Sequence, residues 1–464
     1  MITHPSRATR RVAATRLPLA LLLVLVLGAC ASGNRGQGPS PAARRGQIAP
    51  GNTGAMLYGR AGLIAVASPV SYVGTVAYFA TPRRDTTLSL LTLSLTARTL
   101  TFTREGDRFR AGYTVTADVR RAGTIAHHFE AKEVVRVKSF KETTRGEESV
   151  IFQEYFPLAP GQYTLTLAVR DEGGARAGTH ESSITVPLID ARGLSSSVPV
   201  HEASLRESVD SVPRLVTSPR STAVFGRDST LTTYVEAYGL DAGQRIRATV
   251  RGDKGTVLWS DSVLLSRVGN VSSGLVHVPV AKVGIGAVHL VMSRPDVADS
   301  TRTPLFVSFG DELPVASFED MLSYLRFFTT PQRIKALRDT SENLRGEAWA
   351  TFLRETDPVP TTPQHEALQA YFTRIQQANT EFREEGGAGW LSDRGMVYVG
   401  LGPPDNIFEP GVGQMNQRGQ AQVWEYQRQQ LQVVFIDQNG FGRWRMTTQS
   451  ELEFQNALRR EQGR

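Results

Sequence analysis

The chain has 464 residues, 40% apolar and 21% charged, which excludes an intrinsically disordered protein and leaves room for several hydrophobic cores. Its formal charge is +7, but many of its arginines crowd the start, and no basic stripe is interleaved with aromatics, which argues against nucleic-acid binding. Cys30 is the single cysteine, so no intrachain disulfide is available and the fold must rest on ordinary burial.

The first thirty residues are arranged as an export signal. Arg7, Arg10, Arg11 and Arg16 are cationic, Leu17 to Leu27 is apolar apart from Pro18, and the small residues Gly28 and Ala29 precede Cys30. The apolar run is short, since a membrane-spanning helix needs roughly 20 residues. Leu27-Gly28-Ala29-Cys30 resembles the lipobox of bacterial lipoproteins, where the cysteine thiol receives diacylglycerol and the peptide is cut just before it. The resemblance implies loss of residues 1–29 and membrane attachment through lipid on Cys30. A chance cysteine behind an ordinary signal peptide is the alternative. Arg10-Arg11 permits twin-arginine export, although Val12, Ala13 and Ala14 follow where a bulkier apolar residue is usual. The implied setting is the cell envelope, facing the periplasm. Ala31 after the cysteine favours the outer membrane over the inner, by analogy with known sorting. Residues 30–56, largely Gly, Pro, Ser, Ala, Gln and Arg, read as a flexible tether.

From 57 to 188, short alternating segments predict strands at Ser71–Phe79, Leu88–Leu95, Arg108–Val119, Val134–Val137, Ser149–Phe156, Gln162–Val169 and Ser182–Val186. Leu158 to Leu165, with Tyr163, resembles the entry to a late strand of immunoglobulin-like domains, where a tyrosine closes a corner over the core. Residues 189–214 read as a Ser-rich linker. A second strand-rich block, 215–310, includes Thr230–Ala237, Arg245–Arg251, Val257–Leu264, Val276–Val280 and Ala287–Met292, with a hairpin turn at Gly252 to Gly255.

Near Asp311 the hydrophobic period lengthens from two to about 3.6. Helices are predicted over Phe318–Phe328, Pro331–Thr356 and Gln364–Glu385, followed by strands at Gly395–Gly400, Gln422–Arg428, Gln432–Asp437 and Phe441–Met446. Asp437 to Gly440 forms an Asn-Gly hairpin turn. The expected fold class is multidomain: two antiparallel β-sandwich, immunoglobulin-like domains, then a separate α+β domain over 311–464.

Gly389-Trp390-Leu391-Ser392-Asp393-Arg394-Gly395 resembles the signature of the GWxTD domain, a C-terminal module of bacterial envelope proteins. Ordered pieces on both sides agree: Arg354, Asp357, Pro358 and Pro360 before the third helix, and Tyr371, Arg374, Ile375, Ala378, Asn379 and Phe382 within it. Val397-Tyr398-Val399, Gly402, Pro404 and Asp405 follow, then Trp424, Tyr426, Phe435, Asp437 and Gly440. The resemblance covers roughly residues 315 to 455. Ser392 replaces the usual threonine, keeping the hydroxyl, and Glu355 departs from the usual basic residue. The family implies an envelope setting and no established reaction.

Standard catalytic constellations are missing. His365-Glu366 lacks a second histidine four residues after the first, Gly411-Val412-Gly413 is too little for a phosphate loop, and no Gly-x-Ser-x-Gly elbow occurs. His127 and His128 point to opposite faces of one strand, while His277 and His289 could approach across strands. Asp393, Asp405 and Asp437 read as turn caps ahead of a carboxylate cluster. Trp390, Trp424 and Trp444 read as core plugs ahead of a sugar- or peptide-binding surface. Arg394 is expected beside Asp393 or a helix carboxylate. Neither a metal nor a cofactor is implied. The expected function is a non-catalytic, lipid-anchored scaffold or interaction protein with envelope proteins as partners; the alternative is a glycan- or ligand-binding protein or enzyme with a cleft in the last domain.

Overall fold

A computed structural model of the chain describes residues 50–143, 150–297, 300–308, 317–362, 365–383, 387–409 and 420–463. Cys30, the signal peptide, the tether up to residue 49, the period switch at Asp311 and the pair Gly411 and Gly413 lie outside the described residues. The end of the expected tether is helical, over Pro50–Arg60. Tyr58 anchors it: its ring meets Phe306 edge-on at 5.0 Å and its hydroxyl lies 3.1 Å from Thr222 Oγ1.

The chain is mostly β-sheet with a helical C-terminal region. Sheet I holds Ile64–Val66, Tyr72–Ala80, Thr87–Leu95 and Val150–Leu158. Sheet II holds Thr103–Glu105, Arg108–Arg121, Thr124–Val137, Gly161–Asp171 and Arg176–Val186. Sheet III holds Val198–Ala203, Leu215–Thr217, Thr230–Tyr238, Ser266–Val268 and Val271–Pro279. Sheet IV holds Thr222–Val224, Arg245–Arg251, Val257–Leu264, Gly286–Ser293 and Ser300–Ser308. Pairing is antiparallel except between Thr222–Val224 and Ser300–Ser308.

Side-chain alternation sets the order of the layers, because successive residues of a strand face opposite ways. Leu91, Leu93 and Leu95 of sheet I pack with Val115, Val119, Leu165 and Leu167 of sheet II. Leu88 and Leu90, on the other face of the same strand, pack with Val198, Val200 and Tyr234 of sheet III. Val235 and Ala237 then turn to Ile246, Ala248 and Leu290 of sheet IV. The layers therefore run II, I, III, IV, and all nine residues of Thr87–Leu95 are buried.

The stretch read as a linker takes part in this stack. Val198–Ala203 pairs with Leu215–Thr217 and Thr230–Tyr238, because Val198 and Val200 supply apolar side chains to the seam between sheets I and III. Arg206 follows, 3% exposed, and its guanidinium meets the fully buried Glu236 at 2.9 Å. Its other donors reach the carbonyls of Ala80, Ser208, Val209 and Ser211. Glu236 also accepts from the hydroxyls of Tyr234 and Tyr238.

At the predicted corner, the Tyr163 hydroxyl donates to Ala159 O at 2.8 Å. The hairpin at Gly252 to Gly255 closes with Gly255 N on Gly252 O, Gly255 having φ +82°.

The C-terminal region departs from expectation in several places. Pro331–Thr356 is two helices, Pro331–Asp339 and Arg345–Thr356, because Thr340 adopts extended backbone and a 3-10 turn over Glu342–Leu344 intervenes. The strand expected at Gly395–Gly400 is instead the helix Asp393–Leu401, started by Ser392 Oγ accepting from Gly395 N. Val397 and Val399 look like strand alternation, but this helix is covered on more than one side and buries both. Of Phe441–Met446 only Arg445–Met446 pairs as strand. Beyond it, Thr448–Gln462 forms a helix that packs Phe454, Ala457 and Leu458 inward. Sheet V, with Asn406–Phe408, Gln420–Tyr426, Leu431–Asp437 and Arg445–Met446, carries this region, and its core is continuous with that between sheets III and IV.

Candidate functional site

The Gly-Trp-Leu-Ser-Asp-Arg-Gly segment joins the helix Glu366–Glu381 to the helix Asp393–Leu401 through a 3-10 turn, Gly389–Leu391. Both glycines are required by close approach. A Cβ on Gly389 would lie 2.1 Å from Ala378 O, and one on Gly395 would lie 1.9 Å from Gly389 O. The turn is thus pressed onto the helix before it and the helix after it.

Trp390 fills the space this creates. Its amide donates to Asn379 Oδ1 at 3.1 Å, and its ring is 3% exposed. Tyr324 and Phe327 lie 5.3 and 5.9 Å from it, and the Arg326 guanidinium covers it at 5.1 Å. Ser392 Oγ donates to Gly389 O at 2.7 Å while accepting from Gly395 N. One hydroxyl therefore closes the turn and caps the next helix. Serine retains both bonds that a threonine would make.

Asp393 accepts from Met446 N at 2.8 Å and pairs with Arg445 at 3.0 Å. This ties the helix to the last strand of sheet V. The Arg394 guanidinium stacks between Phe382 at 5.3 Å and Trp444 at 4.9 Å. Trp424 is buried against Phe382 and Phe435, its indole N–H donating to Gln422 Oε1. Asp405 accepts from Gln427 N at 2.7 Å. Asp437, 2% exposed, accepts from Asn439 N, Gly440 N and Gly442 N. Each of the three carboxylates is thus engaged with a backbone amide, but only Asp437 caps its own turn; Asp393 and Asp405 reach across to Met446 and Gln427, remote in sequence, and do not cap the turns their neighbours suggested.

The histidines remain apart. His127 stacks on Phe156 at 4.7 Å, and burial pushes it below its ordinary value, whereas His128 meets Asp118 at 2.6 Å. His277 lies opposite Thr232 in sheet III and His289 opposite Arg251 in sheet IV, so they are not cross-strand neighbours. His365 caps a helix, its Nδ1 accepting from Leu368 N. Among the described residues no group of three or more His, Cys, Asp or Glu is placed to hold a metal. No described helix is long and apolar enough to cross a membrane.

Outside the segment, a recess of about 630 Å³ is bordered by Ile436, Gln438, Asn439, Phe441 and Arg443 at the hairpin tip. A second environment drew notice from the sequence only as part of the resemblance. Arg374 lies among Tyr371, Tyr398 and Tyr426, and burial lowers its pKa from the ordinary guanidinium value. Arginine on a helix face has no spacing signal that would have singled it out.

The family model of the GWxTD domain matches residues 293–448. The chain contains a GWxTD domain. The match starts earlier than the resemblance first suggested and takes in the strand Ser300–Ser308 of sheet IV. Leu305 and Val307 of that strand share a core with the helices. No curated protein matches the chain. Among solved structures it is similar to a biofilm-associated protein BSP domain, 8% identical over 53% of this chain and 52% of that one, with TM-score 0.17. An Escherichia coli alpha-2-macroglobulin is 11% identical over 53% and 16%, TM-score 0.18. A Bifidobacterium dentium beta-glucuronidase is 10% identical over 52% and 49%, TM-score 0.17. The chain spans about half the length of the first of these.

Proposed function

We propose that the protein is a non-catalytic scaffold or interaction protein of the bacterial cell envelope, held to a membrane by lipid on Cys30 and presenting its GWxTD domain on stacked sheets. The observation that carries the non-catalytic part is the engagement of the motif. Trp390 is packed, and Ser392, Asp393, Asp405 and Asp437 each hold backbone groups, so the segment works as a joint between helices and sheet. An open cleft beside Trp390 and free carboxylates would have favoured the enzyme. The anchor rests on the Leu-Gly-Ala-Cys order behind a short apolar run. We read the paired sheets as immunoglobulin-like sandwiches, a reading supported by the Tyr163 corner. The periplasm-facing leaflet of the outer membrane is the expected site.

Cys30→Ser tests the anchor. The variant should leave the membrane fraction or accumulate as uncleaved precursor, and should lose lipid label. Wild-type fractionation and labelling would overturn the lipoprotein reading. Affinity capture of the intact protein from membranes should recover envelope proteins; steady recovery of nothing but lipid would overturn the scaffold role.

A further inference from the structure

The arginines that this fold draws away from water are, as a rule, matched to acids. Arg206 meets Glu236, Arg294 meets Asp296 and Arg345 lies by Glu342. This is what the cost of an uncompensated charge demands. Arg374, on the helix Glu366–Glu381, breaks the pattern. Its Nε is buried without a hydrogen-bond partner. The titratable groups that reach it are three phenols, with no carboxylate among them in the described residues.

Those phenols cannot serve as its counter-charge. Each is neutral, and each has its proton directed elsewhere: Tyr371 to Tyr324 O, Tyr398 to Gln377 Oε1, and Tyr426 to Gly402 O. Arg326, the other cation that reaches Tyr371, is stacked on Trp390 and donates to Ser323 O. What remains unused is a guanidinium, a group that only donates. Gly402 borders it, with φ +94°, and a Cβ there would lie 3.3 Å from Arg374 Nη1. The backbone beside the fork is therefore bare. Arg374 is also partly open to solvent, so a ligand can reach it.

We infer that Arg374 is the anchor of a ligand site in the GWxTD domain, taking a single carboxylate group in the bidentate manner of a guanidinium fork. One unmatched cation balances one negative charge, whereas a phosphate monoester would bring close to two. The buried ring of Tyr371 backs the guanidinium at 5.9 Å, and the half-buried Tyr398 is the phenol of the three that a ligand on Arg374 could also touch. This site is separate from the packed motif and goes beyond the scaffold reading.

The full chain is titrated with acetate, N-acetylglycine and inorganic phosphate at constant ionic strength, set with chloride, and its thermal midpoint is followed. N-acetylglycine should raise the midpoint saturably, more than phosphate does. Arg374→Gln should lose the effect, and Arg354→Gln, an exposed arginine on another helix, should keep it. If Arg374→Gln does not fold, Arg374→Lys keeps the charge without the fork and should bind at least tenfold more weakly. A flat carboxylate series, an unchanged response in the Arg374 variants, or stronger stabilisation by phosphate would each overturn the assignment.

Discussion

Trp390→Ala separates a packed joint from a binding surface. An indole of roughly 150–250 Å² removed from water at ~25 cal/mol per Å² represents about 4–6 kcal/mol. The ring contacts with Tyr324 and Phe327 and the covering Arg326 add to this, while alanine keeps a methyl and the amide bond to Asn379. Allowing for partial collapse of the cavity, the expected loss is ~3–5 kcal/mol. Urea denaturation followed by far-ultraviolet circular dichroism measures it without relying on the fluorophore that has been removed. Because the core continues into sheets III and IV, the transition should shift for the strands as well as the helices. A variant with the wild-type midpoint that has nevertheless lost partner capture would refute the packing account and make Trp390 a contact residue.

Glu236→Gln should destabilise the chain by ~3–5 kcal/mol, since Arg206 would be left buried without its counter-charge. Adding Arg206→Met should recover part of that loss, and strictly additive effects in urea melts would contradict the coupling. Gly395→Ala should cost ~1–3 kcal/mol by forcing a methyl against Gly389 O; an unchanged melting temperature would show that the turn is not tightly packed. Burial holds His127, His289 and His365 below 6.5, so the native state binds fewer protons than the unfolded chain. The stability these groups contribute is fully present above pH 6.5 and falls as the pH drops below it, so the urea midpoint should be lower at pH 5.5 than at pH 7.5. A midpoint that stays level or rises would contradict this.

Much of the β architecture was legible because alternation survives wherever one face of a strand meets a core. Arg108–Arg121 and Gly161–Asp171 show it plainly, each burying every second residue for most of its length. Thr87–Leu95 was legible for another reason: its unbroken apolar and hydroxyl run suits a strand covered on both sides. Local capping was harder to weigh against alternation, so Gly395–Gly400 read as strand although Ser392 lies three residues before Gly395. The same kind of signal, Thr447 accepting from Ser450 N, marks the start of the last helix, which the sequence reading missed. Val198–Ala203 was hidden by its Ser-rich surroundings, since its partners lie in strands remote in sequence. Among site residues, the Gly-rich approach to Trp390 pointed to close packing. Nothing in the local spacing marked Arg374, whose distinction is that no acid among the described residues reaches it.

The doubly covered strand Thr87–Leu95 has a consequence for how this molecule can be inherited and cut. A sheet with one wet face can be transplanted with its neighbours and remain soluble. This one has no wet face to offer, since Leu88 and Leu90 would meet water as soon as sheet III was removed. A gene boundary or protease nick between residues 189 and 214 would expose that surface and strip Val198 and Val200 from their partners. The two β blocks should therefore travel through evolution together, and fragments ending in that stretch should aggregate rather than persist as soluble halves.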